Sequence, residues 1–171
     1  MNGYRVEPKS RRELRLLANQ IRKNLGLEDQ LYFPVVELFD RLPDIYDGLE
    51  CQIVGDFELP INVHGLTDIT SKTIKIKESV YDNACKGNGR DRMTILHEIA
   101  HYLTLGELNY SLARSFDEEK VPTYCDPEWQ AKCLAGELMM PVEKVKTMCV
   151  EEIMEKCGVS YDAAQYQLSK I

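Results

Sequence analysis

Residues 92–105, RMTILHEIAHYLTL, constrain this chain more than any other stretch. Met93, Ile95, Leu96, Ile99, Ala100 and Leu103 recur at helical spacing and predict a largely buried helix. His97, Glu98 and His101 interrupt that apolar run in the pattern HExxH. Four residues advance an α-helix by just over one turn, so two histidines at that spacing project from one face, about 6 Å apart. Two imidazoles and a carboxylate are costly to bury unless each has a partner, and a single metal ion supplies one for all three. Glu98 is turned about 100° from His97. That is too far round to share the ion as a ligand, yet close enough to take a proton from a water beside it. The pattern therefore predicts two His ligands, a general base and an open coordination position, the division of labour of a metal hydrolase.

An active site of this kind needs a third protein ligand, and the chain has only one other histidine, His64. His64 precedes Gly65, and nothing in its position ties it to the helix more than thirty residues on, so it reads as an ordinary strand or turn residue. Two carboxylates compete instead. Glu107 lies six residues beyond His101, where one class of metallopeptidases places its third ligand, but that class turns back at a glycine where this chain has Thr104. A helix that runs on to Leu105 carries Glu107 about 9 Å along its axis and away from the pair. Glu128 opens the segment DPEWQAKCLAGELMMP, in which Asp126 can cap a helix with Pro127 in its first turn. Glu128, Ala131, Ala135 and Leu138 then fall on one stripe, and two alanines there allow a close approach to the first helix. The expected metal ligands are His97, His101 and Glu128, with Glu98 as the catalytic base.

The rest of the chain reads as α+β. Ser10 and Glu13 form a capping box, and Leu14, Leu17, Ala18, Ile21 and Leu25 continue a helix that Gly26 can close. Its charged residues Arg11, Arg12, Arg15, Arg22 and Lys23 read as a solvated outer face. A second helix is expected from Pro34, with Val35, Leu38, Phe39 and Leu42 inward, stopping before Pro43. Three short strands follow: Cys51 to Val54, Ile61 to Leu66, and the alternating run Thr73 to Lys77. They predict a small antiparallel or mixed sheet packed against a helical layer, whose edge beside the metal could bind an extended peptide backbone. A short helix from about Glu78 to Lys86, a polar loop from Glu107 to Thr123 with the acidic run Asp117 to Glu119, and helices after Pro141 complete the reading. We expect one domain over 1–171, with 1–45 as an N-terminal helical part and 46–171 holding the sheet and remaining helices.

Charge and cysteines narrow the partners. Twenty-one Lys and Arg against 28 Asp and Glu leave a net charge of -7, which argues against direct nucleic-acid or anionic-membrane binding and for a protein partner. No apolar run is long enough for a membrane span, and the first 15 residues contain no export signal, so a cytoplasmic location is expected. The six cysteines form no CxxC pair and read as reduced, mostly buried residues.

The run RMTILHEIAHYL (92–103), followed by EWQA (128–131), Ala135 and ELMMP (137–141), closely resembles the ImmA/IrrE family of metallopeptidases. In that family the two HExxH histidines and the Glu that opens the second motif bind the metal, and the HExxH Glu is the base. The resemblance thus implies His97, His101 and Glu128 as ligands and Glu98 as base of a zinc-dependent endopeptidase. Mn2+ or Fe2+ would fit the same ligands. It further implies a regulatory protease whose substrate is a helix-turn-helix transcriptional repressor, of the kind encoded on mobile elements or in stress operons. A non-proteolytic protein that sequesters such a partner is the alternative. This chain departs from the family at Lys132, where Asn or Asp is usual, and at Leu134, where an aromatic residue is usual. Lys132 lies one turn after Glu128, where a cation could pair with its carboxylate. Tyr102, Tyr110, Tyr124 and His64 are the candidates to stabilise an oxyanion.

Overall fold

The structure is a computed structural model that describes residues 4–106, 113–114 and 121–171. Helix α1 (Arg11–Asn24) begins at the Ser10 and Glu13 capping box, with both reciprocal bonds made. Its apolar stripe buries Leu14 and Ala18 completely, against α5 (Pro127–Met139). Arg12 and Lys23 are exposed, as the sequence predicts, but Arg11, Arg15 and Arg22 depart from a solvated face. Arg22 is 2% exposed, and its guanidinium donates to the carbonyls of Leu138, Leu27 and Gln30. Arg15 and Arg11 clamp the buried carboxylate of Glu137 on α5, at 2.9 and 3.1 Å. A helical stripe of charges reads as solvent-facing from spacing alone, but a neighbouring helix that buries one carboxylate and several carbonyls turns the same arginines into ties.

Helix α2 (Val35–Ile45) also differs from expectation, since Pro43 lies inside it. Proline forfeits its own bond to the carbonyl of Phe39, but Tyr46 N–H still closes the last turn on Leu42 at 2.9 Å. Burial of Phe39 and Leu42, each 1% exposed, holds that turn in place.

Strands β2 (Glu50–Val54), β3 (Gly65–Asp68) and β4 (Thr73–Lys77) form a mixed sheet in the order β2-β4-β3, with β2 parallel and β3 antiparallel to β4. The apolar run Ile61 to Leu66 does not form one strand. Pro60 to Val63 is a turn, closed by Val63 N–H on Pro60 at 2.9 Å and braced by the Lys77 ammonium on the Pro60 carbonyl, and Ile61 is left exposed. β4 is central, and four of its five residues are buried, Lys77 among them, because elements cover both of its faces. Away from this sheet, β1 (Tyr4–Arg5) pairs antiparallel with β5 (Ala113–Arg114).

Helix α3 (Glu78–Cys85) leads into α4 (Gly89–His101), capped by the Asn88 side chain. α4 is the hub, in contact with α2, α3, α5 and β3. Its first residue packs against the chain between α7 (Val150–Cys157) and α8 (Tyr161–Leu168), where a Cβ on Gly89 would stand 2.6 Å from the Val159 carbonyl carbon. One turn on, the buried Arg92 donates to the carbonyls of Cys157, Gly158 and Phe33 and stacks 4.0 Å over the Tyr32 ring. A cation at the end of α7 complements its dipole and joins three segments at one group. Helix α6 (Val142–Val145) completes the layer. No helix among the described residues is long and apolar enough to cross a membrane.

All six cysteines are free thiols. Burial pushes the Cys51 thiol up to about 12 and that of Cys133 to about 11. A thiol reagent should therefore label the exposed Cys85 and Cys149 in the native protein and reach Cys125, Cys133 and Cys157 only on unfolding, which mass spectrometry of pulse-labelled protein would show. Glu137→Gln leaves the two arginines without their carboxylate and should lower stability by about 1–3 kcal/mol, read as a fall in the urea midpoint at unchanged m-value.

Candidate metal centre

His97 and His101 lie one turn apart on α4, and their rings stand edge to face with Nε2 atoms 3.0 Å apart. Glu128 reaches them from the first turn of α5, where Asp126 accepts the Glu128 backbone N–H at 3.0 Å and so sets the start of the helix. Its Oε2 stands 3.2 Å from His97 Nε2 and 3.3 Å from His101 Nε2. α5 packs against α4, and Ala131, Ala135 and Ala100 are fully buried, with nothing beyond a Cβ to hold backbones apart.

These three atoms form a nearly equilateral triangle. A tetrahedral ion with bonds of about 2.0–2.1 Å spaces its ligands about 3.3 Å apart, so the observed edges fit one ion capping the triangle. Two imidazoles and a carboxylate are also the donor set of zinc sites that keep a fourth position open. The His101 side chain is 4% exposed and that of Glu128 40%, so one wall of the site is closed and the other faces solvent. Contacts from His101 and then His97 hold the Glu128 carboxyl far below the usual carboxylate range, against the opposing effect of its burial. Those contacts favour the carboxylate anion, the form a metal ligand needs.

The end of α4 has a local cause of its own. At Tyr102 the helix widens into a π-turn that runs to Gly106. Thr104, fully buried, donates its hydroxyl to the Ala100 carbonyl at 2.8 Å and lies 3.3 Å from that of His101, so the widened turn keeps its carbonyls satisfied. Glu107, the rival third ligand, lies outside the described residues, as do Tyr110 and the acidic run at 117–119.

Glu98 turns toward the sheet rather than the helical core. Its Oε2 lies 2.7 Å from Thr67 Oγ1 on β3, and the same hydroxyl lies 2.9 Å from the Glu98 backbone carbonyl. β3 can approach only because its first residue is glycine, since a Cβ on Gly65 would stand 2.7 Å from Glu98 Cγ and 2.9 Å from Ile76 Cδ1. Between this edge strand and α4 runs a cleft of about 370 Å³, lined by His64, Thr67, Glu98, His101 and Glu128. Four predicted site residues thus meet, with Glu98 in the cleft beside the triangle. Thr67 and Gly65 went unnoticed in the sequence. A glycine within a strand marks a close approach and could have pointed to Gly65, whereas Thr67 carries no such signal.

His64 reads as an ordinary turn residue in sequence, yet it lines this cleft. Tyr102 is buried with its ring edge-on to Tyr46, and Tyr124 lies by Trp129 on a different groove. The Lys132 ammonium stands 5.8 Å from the centre of the Tyr166 ring.

The sequence profile of the IrrE N-terminal-like domain, peptidase family M78, matches residues 57–169. The chain belongs to that family. The match takes in the edge strand, the whole of α4 and the Glu128 helix, so M78 membership and the triangle concern the same residues. The M78 family is one of metallopeptidases, and a metal ion at this triangle agrees with it. Among solved structures, a Mycobacterium tuberculosis transcriptional regulator superposes with a TM-score of 0.62 at 14% identity, over 92% of this chain. At that identity the likeness shows the fold, and the chain spans 46% of that protein's length. No curated protein sequence matches the chain.

The chain should bind about one equivalent of zinc and gain thermal stability with added metal, as any ligand selective for the folded state confers. His101→Ala should weaken binding by more than about 100-fold and remove that gain, whereas Glu98→Gln should keep both. Competition with a chromophoric chelator and a melting series would test this.

Proposed function

We propose that this chain is a zinc-dependent endopeptidase with His97, His101 and Glu128 as metal ligands and Glu98 as general base. The observation that carries the reading is the Glu98 carboxylate, held by Thr67 in a cleft that two of the three ligands, His101 and Glu128, also line. A site that only held a structural ion would have no use for a base beside its ligands. A divalent ion at the triangle supplies Lewis acidity, polarising the scissile carbonyl and making water acidic enough to attack at neutral pH.

The chain's own residues do the rest. Glu98 takes a proton from the attacking water and returns it to the leaving amine. Thr67 gives its hydroxyl proton to Glu98 Oε2 and keeps the carboxylate turned to the cleft. β3 is the outer strand of its sheet, so its free edge can pair with an extended substrate backbone and lay the scissile bond across the site. His64, exposed at the mouth of the same cleft, can donate a hydrogen bond to the oxyanion.

We further propose a protein substrate, a helix-turn-helix repressor whose cleavage relieves repression. The ImmA/IrrE resemblance supports this, and the fold shared with a transcriptional regulator is consistent with it. The zinc-loaded chain, incubated with a helix-turn-helix repressor encoded beside it, should cut it at one or few bonds. Glu98→Gln should keep its metal and lose cleavage by more than about 1,000-fold, consistent with loss of general-base catalysis. A variant that still relieves repression would instead favour partner sequestration. Thr67→Val should retain metal and lower kcat about tenfold with little change in KM, whereas an unchanged kcat would remove Thr67 from the mechanism.

A further inference from the structure

Adjoining the cleft at Thr94, which lines both, a groove of about 250 Å³ passes His97, Met93 and Lys132. It shares Met93 and Lys132 with a deeper cavity of about 340 Å³, closed by Met140, Ala163 and Tyr166. The volume is that of a small-ligand pocket, and most of its surface is apolar. Three cations surround the Tyr166 ring at its mouth: Lys170 at 5.0 Å, Arg11 at 5.7 Å and Lys132 at 5.8 Å from its centre. One ring attracts cations through its quadrupole, but three positive charges gathered on it repel one another. Glu137 occupies Arg11 from beneath, and Asp162 lines the cavity, while Lys132 and Lys170 are exposed and have no carboxylate within ion-pair distance among the described residues. In a chain of net charge -7, this is a local reversal of sign.

We infer that this groove and cavity form a substrate subsite that takes an acidic residue on the Lys132 and Lys170 side and a large apolar side chain in the cavity beneath. The inference rests on the peptidase reading above and names the class of sequence that site selects. Lys132 lies one helical turn, about 6 Å, beyond Glu128, and Tyr166 lies one lysine's reach further. An extended chain covers about 3.3 Å per residue, which puts the acidic residue about two to four residues from the bond attacked. Lys132, the departure from the usual family residue, is on this account a specificity residue.

The test gives the zinc-loaded full chain and its Lys132→Glu, Lys170→Glu double variant a peptide library. Each peptide carries one large apolar residue, with Glu, Gln or Lys at each of four positions on either side. The wild type should cleave peptides with Glu two to four residues from the cut about tenfold faster in kcat/KM than their Lys counterparts, and the double variant should reverse that order. The same order in both proteins, or no charge preference in the wild type, overturns the inference. If the wild type cuts no peptide, cleavage of the repressor decides the peptidase reading separately, and binding decides the subsite. Fluorescein-labelled acidic and basic peptides of the same pattern are then titrated into both proteins. Tighter binding of the acidic peptide, lost in the double variant, supports the subsite, and equal binding of the two overturns it. Displacement of the acidic peptide by duplex DNA at equal charge concentration also overturns it, by making the patch a nucleic-acid surface.

Discussion

The contact between α4 and α5 across buried alanines is the constraint on which the site depends. Glu128 is 27 residues beyond His101 in the chain, and its carboxylate reaches the two imidazoles because α4 and α5 pack together, with Ala100, Ala131 and Ala135 fully buried. A larger side chain at any of the three would separate the axes, and a displacement of one ångström is large against edges of 3.0–3.3 Å. Asp126 adds a second restraint by fixing where α5 begins, and so the direction in which Glu128 leaves it.

The surrounding structure defends that contact with buried charge as much as with apolar packing. Arg92 ties the first turn of α4 to the end of α7 and to Phe33, and Arg22 ties α1 to the last turn of α5. Glu137, one residue before the end of the apolar stripe on α5, takes two arginines from α1. Each of these groups is costly to bury alone and stable here because several oxygen or nitrogen partners meet it. Both helices of the site are thereby held at the ends away from the triangle, which leaves the solvent-facing wall at Glu128 open.

β3 packs against α4 and brings Thr67 and Gly65 to the proposed base. Thr67 restrains a carboxylate that would otherwise sample several rotamers, and Gly65 makes room for it. The cleft adjoins the groove at Thr94, and the groove adjoins the cationic cavity at Met93 and Lys132, so a peptide laid on the edge strand could reach the proposed base, the proposed ligands and Lys132.

Much of this was legible in the residues themselves. The helical spacing of His97 and His101, the caps at Ser10 and Asp126, and the small-residue stripe on α5 are local patterns, and local patterns survive folding because they depend on neighbours within a turn or two. The α+β class, a small three-stranded sheet and the family resemblance were also readable, while the parallel pairing of β2 with β4 was left open. Tertiary structure alone decided that Arg11, Arg15 and Arg22 of α1 turn inward, that Pro43 stays within α2, that the apolar run after Pro60 makes a turn before its strand, and that His64 and Thr67 face the cleft. Each of those outcomes depends on a partner more than 15 residues away or on burial of a whole face, and no periodicity along one segment records what another segment will place against it.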